Sequence, residues 1–256
     1  MSNYLICELY KNTPINEEFF ILQFVWEHEI PKAGQFFMLK PQRGTVFLPR
    51  PISIFEYNHD SKIVKFLISK RGKGTLELSQ LNAGEKVQMA GPHGNAWSDF
   101  LPESGKVLLV GGSAGVAPLA ALTAEKQGYE FHLYAGFRQG FNEKEEENIM
   151  LGAAVNSKKI VISAEDGRNA LIGRITDFLY EPEAYDVVFG CGPMPMLHAL
   201  RKKCEQKKVP CFISLESRFA CGVGACLGCT IYTDNGNKRC CKEGPIFPAR
   251  EVIFDE

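Results

Sequence analysis

Between Tyr4 and Pro92 the apolar residues come in short runs separated by turn formers. Phe19–Val25, Gln35–Leu39, Ser53–Tyr57 and Ile63–Ile68 are rich in aromatic and β-branched residues, the side chains that fill a pleated surface. Glycines and prolines punctuate these runs, among them Pro31, Gly34, Pro51, Gly74, Gly84 and Gly91. Strands at this spacing predict a small antiparallel barrel. Past Leu101 the rhythm changes. Lys106–Gly112 is a continuous apolar run of the kind buried in a parallel sheet, and it leads into a helix start at Ser113. Further strands are predicted over Glu130–Ala135, Lys159–Ser163 and Tyr185–Gly190, with Pro210–Glu216 as the last of the sheet. Pro195–Cys204 reads as a helix whose basic residues lie at the C-terminal end, where the dipole favours them. Glu143–Asn148 reads as a solvated helix start. Strands alternating with helices predict a doubly wound parallel sheet with ligands at the strands' carboxyl ends. The expected fold is therefore β plus α/β, with a barrel over 1–100, a parallel-sheet domain over 101–215 and a small module over 216–256.

Composition narrows the function classes. With 45% hydrophobic and 23% charged residues the chain reads as a soluble globular protein. A formal net charge of −1 gives no electrostatic footprint for nucleic acid or a membrane surface. The N-terminal residues lack a basic region followed by an apolar run, and no apolar stretch approaches the length of a membrane span. The expected compartment is the cytoplasm, where nine cysteines serve better as metal ligands or buried thiols than as disulfides.

Three of those cysteines carry the strongest local signal. Cys221, Cys226 and Cys229 have the spacing C-x4-C-x2-C, and the pair Cys240-Cys241 follows. That is the plant-type spacing for a [2Fe–2S] cluster. Four thiolates must converge on two adjacent irons while backbone amides point at the sulfurs, and Gly222, Gly224 and Gly228 suit such a curl. Structural zinc sites use paired C-x2-4-C knuckles instead, and only one such knuckle exists here. An odd cysteine count speaks against a disulfide framework. Adjacent strand residues point to opposite sides, so only one of Cys240 and Cys241 can be the fourth ligand, and geometry leaves the choice open.

Other motifs suggest phosphate and ring binding. In Leu48–Ile54 the guanidinium of Arg50 could fork onto a phosphate, and Ser53 could bond a flat ring. Ser69–Leu76 is a glycine-rich loop opening a short helix, able to offer N–H groups and the Thr75 hydroxyl to a pyrophosphate. Gly111, Gly112, Gly115 and Pro118 lie where a strand becomes a helix N-terminus, although the run departs from G-x-G-x-x-G. Cys191 sits in the turn Gly190–Pro193 and could equally be a small buried residue. No run of arginines follows the second strand to hold a 2′-phosphate, which points to NAD rather than NADP. His132 and His198 lack partners for catalysis and read as structural.

Arg50-Pro51-Ile52-Ser53, then Gly74-Thr75, then Gly91-Pro92-His93-Gly94 resemble the flavin domain of the ferredoxin-reductase superfamily. The resemblance implies FAD, with Arg50 on its phosphates, Ser53 near the reactive flavin nitrogen, Gly74 and Thr75 at the pyrophosphate, and Leu67, Ile68 and Ser69 along the ring. Cys191, Gly192 and Pro193 are similar to the nicotinamide-side turn, whose cysteine lies near the hydride-transfer position. Over nearly its whole length the chain resembles the electron-transfer subunits of type B dihydroorotate dehydrogenase, and Cys241-Lys-Glu-Gly244-Pro245 resembles their ending, which selects Cys241 as the fourth ligand. The implied partner is an FMN-containing dihydroorotate dehydrogenase catalytic subunit in a heterotetramer. Two departures touch partner identity: Phe219 stands where relatives often carry methionine, and the Cys229–Cys241 loop is short. The rival readings are a diaphorase subunit of a bifurcating transhydrogenase or soluble hydrogenase, and a non-catalytic iron–sulfur redox sensor.

Overall fold

The computed structural model describes residues 4–152, 154 and 156–254. Its first half is an antiparallel sheet of β1 (Leu5–Pro14), β2 (Phe19–Val25), β3 (Phe36–Pro41), β4 (Arg50–Ser53), β5 (Glu56–Asn58), β6 (Ile63–Ser69) and β7 (Lys86–His93), with the short helix α1 (Lys73–Ser79) between the last two. The strand order is β4-β3-β7-β1-β2-β6-β5. Period-two alternation explains the apolar runs. On β2, Phe20, Leu22 and Phe24 fill the barrel core, while Phe19 and Ile21 join the core shared with the second domain. A strand buried on both faces must read as unbroken apolar sequence.

The strand expected over Ser53–Tyr57 is in fact two. Ser53 pairs with Phe36 of β3, whereas Glu56 pairs with Lys65 of β6. Ile54 and Phe55 are both buried, yet Ile54 belongs to the barrel core and Phe55 to the interdomain core. The chain turns a corner there to satisfy both.

The second half is a sheet of β8 (Gly105–Gly112), β9 (Tyr129–Phe137), β10 (Ser157–Ala164), β11 (Leu171–Ile172), β12 (Val187–Cys191) and β13 (Cys211–Ser214), with helices α2 (Val116–Glu125), α3 (Lys144–Leu151) and α4 (Met194–Lys207). Its parallel strands run β11-β10-β9-β8-β12-β13, so the order reverses between β8 and β12. Helix α2 covers one face and α4 the other, through Leu200 and Cys204. Ligands of such sheets bind outside the carboxyl ends at the reversal point, here Gly112 and Cys191.

Beyond β13 come the hairpin β14 (Thr230–Thr233) and β15 (Gly236–Arg239), the one-turn helix α5 (Cys240–Glu243) and β16 (Ile246–Pro248). Cys211–Ser214 is therefore not the last strand, because β16 adds antiparallel to it. Nor does the Cys240-Cys241 pair lie on a strand, since α5 begins there. The C-terminal residues close back on both domains: Asn95 donates to the carbonyl of Ile246 at 2.9 Å and accepts from its N–H at 3.0 Å. Trp97 is fully buried between barrel and sheet and stacks on Phe189 with ring centroids 4.9 Å apart.

Candidate functional site: a dinucleotide cleft beside a cysteine loop

The two domains meet at a cleft. From the barrel it is lined by Pro51, Ile52 and Ser53 of β4, by Leu67, Ile68 and Ser69 of β6, and by Thr75 of α1. From the sheet it receives Gly112 and Gly115 after β8 and Cys191, Gly192 and Pro193 after β12. Segments far apart in sequence thus contribute to one wall system because β4, β6, β8 and β12 all end there. Four expected site residues stand behind the lining. Arg50 donates to the carbonyls of Leu48 at 3.1 Å and Pro49 at 3.4 Å, and its guanidinium occupies the space that a side chain at Gly74 would fill. Gly111 lets Val116 of α2 approach, since a Cβ there would meet the Val116 Cα at 2.8 Å. Pro118 is buried in the first turn of α2, where its missing N–H costs nothing. The Thr75 hydroxyl is engaged locally, accepting from the N–H groups of Arg71 and Gly72 at 3.0 and 3.3 Å.

The cleft also holds residues that the motifs did not assign to a flavin or nicotinamide site. Phe36, Phe219, Ser214, Leu215 and Glu216 line it. Glu216 lies at the carboxyl end of β13, a position that the parallel-sheet rule alone marks as a ligand position. Cys191 is buried, and burial followed by the nearby Glu216 charge holds its thiol far above the ordinary range. It is a neutral S–H at physiological pH. Glu18 ties the two domains beside the cleft, accepting from Ser69 Oγ at 3.2 Å and Ser113 Oγ at 3.3 Å. The histidines stay structural: His132 Nδ1 lies 2.9 Å from the Tyr185 hydroxyl, and His198 stacks on Phe254.

One wall of the cleft, Ser214–Phe219, runs directly into the cysteine loop. Gly222 and Gly224 carry φ of +71° and +78°, conformations that a side chain would resist. Gly228 does not; the left-handed residue there is Leu227, at φ +58°, and Gly228 instead points its N–H at Cys226 Sγ, 3.5 Å away. The four sulfurs form two pairs. Cys229 Sγ and Cys241 Sγ are 3.2 Å apart, and the Cys226 thiol donates a hydrogen bond to Cys221. Amides aim at them: Gly224 N–H donates to Cys241 Sγ at 3.1 Å, and Val223 and Cys226 donate to Cys221 Sγ at 3.5 and 3.4 Å. Burial opposes ionisation of Cys221, but those donors win and bring its thiol down to about 6. Cys240 points elsewhere, its Sγ donating to the Leu215 carbonyl at 3.0 Å. In a helix neighbouring side chains diverge by about 100°, so Cys241 faces the loop and Cys240 faces the cleft wall.

All nine cysteines are free thiols. Among the described residues no three histidines, cysteines or carboxylates converge as ligands of a single metal ion. Two thiol pairs ringed by N–H donors suit a diiron cluster, in which each iron takes two protein sulfurs.

The sequence comparisons decide the family. An electron transfer subunit of dihydroorotate dehydrogenase B (NAD(+)) from Clostridium acetobutylicum is 38% identical over 253 residues, which is 99% of this chain and 98% of that one. This chain belongs to the family of dihydroorotate dehydrogenase B electron transfer subunits. A second member, from Caldanaerobacter subterraneus subsp. tengcongensis, is 36% identical over 248 residues, covering 95% of this chain and 96% of its own length. The profile described as the iron-sulfur cluster binding domain of dihydroorotate dehydrogenase B matches residues 216–253. Among solved structures, the NADH-dependent reduced ferredoxin-NADP oxidoreductase superposes with a TM-score of 0.78 at 24% identity, covering 99% of this chain and 91% of that one. A ferredoxin NADP+ reductase from Neisseria gonorrhoeae with bound FAD and NADP reaches 0.66 at 15% identity, over 81% of this chain and 92% of that one. This chain therefore has the two-domain fold of those reductases, extended by a cysteine module.

Proposed function

We propose that this chain passes electrons between NAD(H), FAD and a [2Fe–2S] cluster, to or from an FMN-containing catalytic subunit that interconverts dihydroorotate and orotate in pyrimidine biosynthesis. A heterotetramer in the cytoplasm is the proposed assembly; free thiols suit that reducing compartment, and no helix among the described residues is long and apolar enough to cross a membrane. The observation that carries the reading is one cleft joining Ser53 and Cys191 whose wall continues into the four-thiol loop. FAD held in this cleft would supply hydride exchange with a nicotinamide and one-electron exchange with a cluster.

The chain's own residues supply position and electrostatics. Arg50, braced under Gly74, is the phosphate fork of the barrel, with Thr75 and the loop before it at the pyrophosphate. Pro51, Ile52, Leu67 and Ile68 offer an apolar face to a flat ring, and Ser53 offers a hydroxyl at its edge. Gly112 and Gly115 open the start of α2 to the phosphates of NAD. Cys191, Gly192 and Pro193 position the nicotinamide, and the neutral Cys191 thiol adds no charge beside it. Cys221, Cys226, Cys229 and Cys241 are the proposed ligands. The exposed Cys226, flanked by the exposed Val223 and Leu227, marks the side that meets the partner. The domains are proposed as 1–100 for FAD, 101–215 for NAD and 216–256 for the cluster.

An anaerobic titration with NADH tests this. Stoichiometric bleaching of both flavin and cluster bands is expected, whereas a redox sensor would not respond. Copurification from the native host should return an FMN protein with dihydroorotate-dependent NAD+ reduction; a hydrogenase subunit in its place overturns the partner. Cys226→Ser should leave flavin reduction by NADH intact and stop transfer to the partner.

A further inference from the structure

Cys240 is not one of the four proposed ligands, yet it is buried completely at the boundary between cleft and cysteine loop. Its Sγ donates to the Leu215 carbonyl at 3.0 Å. Leu215 lines the cleft and is held from its other side, its N–H donating to the Pro245 carbonyl at 2.9 Å. The next residue, Cys241, sets its sulfur 3.2 Å from that of Cys229. One short hydrogen bond thus links the cleft wall to the backbone of a ligand residue, in a region that water does not reach. Electron tunnelling falls off less across a hydrogen bond than across an equal gap of empty contact, so such a link favours one route over its neighbours.

We propose that the Cys240 thiol is the coupling link through which an electron passes between the flavin cleft and the cluster, entering at the Cys229–Cys241 side. This rests on the cofactor assignment above. The sulfur pairs differ as the route requires. Cys229 and Cys241 are 1% and 3% exposed and share a buried cluster with Leu215, whereas Cys226 is exposed and Cys221 partly so. Electrons enter at the buried pair and leave at the exposed one. A single electron moves per event, no bond forms or breaks at Cys240, and its S–H stays intact. The competing route runs along the chain from Phe219, which lines the cleft against Phe36 with ring centroids 5.0 Å apart, to Cys221. Phe219 is only half-buried, and that route delivers to the exposed pair.

Stopped-flow mixing of the FAD- and cluster-loaded protein with NADH, following flavin and cluster absorbance separately, decides between them. Cys240→Val keeps the bulk and removes the donor, so the flavin-to-cluster rate constant should fall several-fold while flavin reduction by NADH keeps its rate. Cys240→Ser, which keeps a donor, should recover most of the loss. A first-order intramolecular constant does not depend on how many molecules hold a cluster, so partial loading of a variant still gives an answer. In the protein before iron is loaded, the S–H stretching band that disappears in Cys240→Val should lie at the lower frequency of a hydrogen-bonded thiol. An unchanged transfer rate in Cys240→Val, a serine variant no better than valine, or slowing in Phe219→Leu alone overturns the proposal. If the wild-type protein with both cofactors shows no cluster reduction by NADH, the cofactor reading fails instead, whatever Cys240 does.

Discussion

Arg50 and Gly74 act as one unit although 24 positions separate them by their numbers. A Cβ on Gly74 would lie 2.7 Å from Arg50 Cζ, so Gly74→Ala must push the guanidinium aside. A charge-assisted hydrogen bond is worth about 1.5–3 kcal/mol. Arg50→Ala should therefore weaken FAD binding by about tenfold or more, with Gly74→Ala changing it in the same direction and stability moving little; flavin-fluorescence titration reads both. His93 makes a second residue-level prediction. Its Nε2 is buried without a partner in the structure, and burial lowers its proton affinity. A histidine shifted that way contributes stability that is complete above its ordinary value near 6.5 and is lost as pH falls through it. His93→Gln should therefore flatten the decline in thermal stability between about pH 7 and pH 5. The flattening will be partial, because burial, the Lys106 charge and then opposing Glu130 leave His132 shifted the same way.

At the scale of elements, the start of α2 and the turn after β12 are packed backbone to backbone. A Cβ on Gly115 would stand 2.6 Å from the Cys191 carbonyl carbon and 2.8 Å from the Gly192 nitrogen. Neither neighbour is a flexible side-chain end, so one element has to shift. Overpacking of this kind costs about 1–3 kcal/mol. Gly115→Ala should lower the unfolding midpoint and raise the NADH concentration needed for half-maximal flavin reduction, leaving FAD content unchanged. Unaltered NADH dependence would separate this turn from the nucleotide site. The Ser53–Tyr57 stretch teaches the complementary lesson. Its local letters favour a strand throughout, and only the demand of two cores on Ile54 and Phe55 breaks it.

For the molecule as a whole, Trp97 is the joint. It is fully buried where barrel, sheet and C-terminal residues meet, stacked on Phe189, with a side chain at Gly34 also excluded by its indole. Removing such a side chain costs about 3–5 kcal/mol. At about 2–4 °C per kcal/mol for chains of this size, Trp97→Ala should lower the melting temperature clearly, and the barrel and sheet should then melt in separate steps by calorimetry. A single transition at the wild-type temperature would mean the domains are coupled elsewhere.

Period-two and strand–helix rhythms, together with the spacing from Cys221 to Cys229, made the two domain types and the cysteine module legible from the chain alone, because those signals depend on neighbours within a few residues. The motif residues Ser53, Thr75, Gly112, Gly115 and Cys191 meet at one cleft, and the roles given to them there are the proposed ones. Leu215 and Phe36 were not legible, since nothing beside them in the chain marks a strand residue that faces a cleft. Spacing leaves the choice between Cys240 and Cys241 open, and it is the resemblance of the ending around Cys241 that selects that residue. Only the helical turn at α5, fixed by β16 closing on β13, sends one sulfur to Cys229 and the other to Leu215.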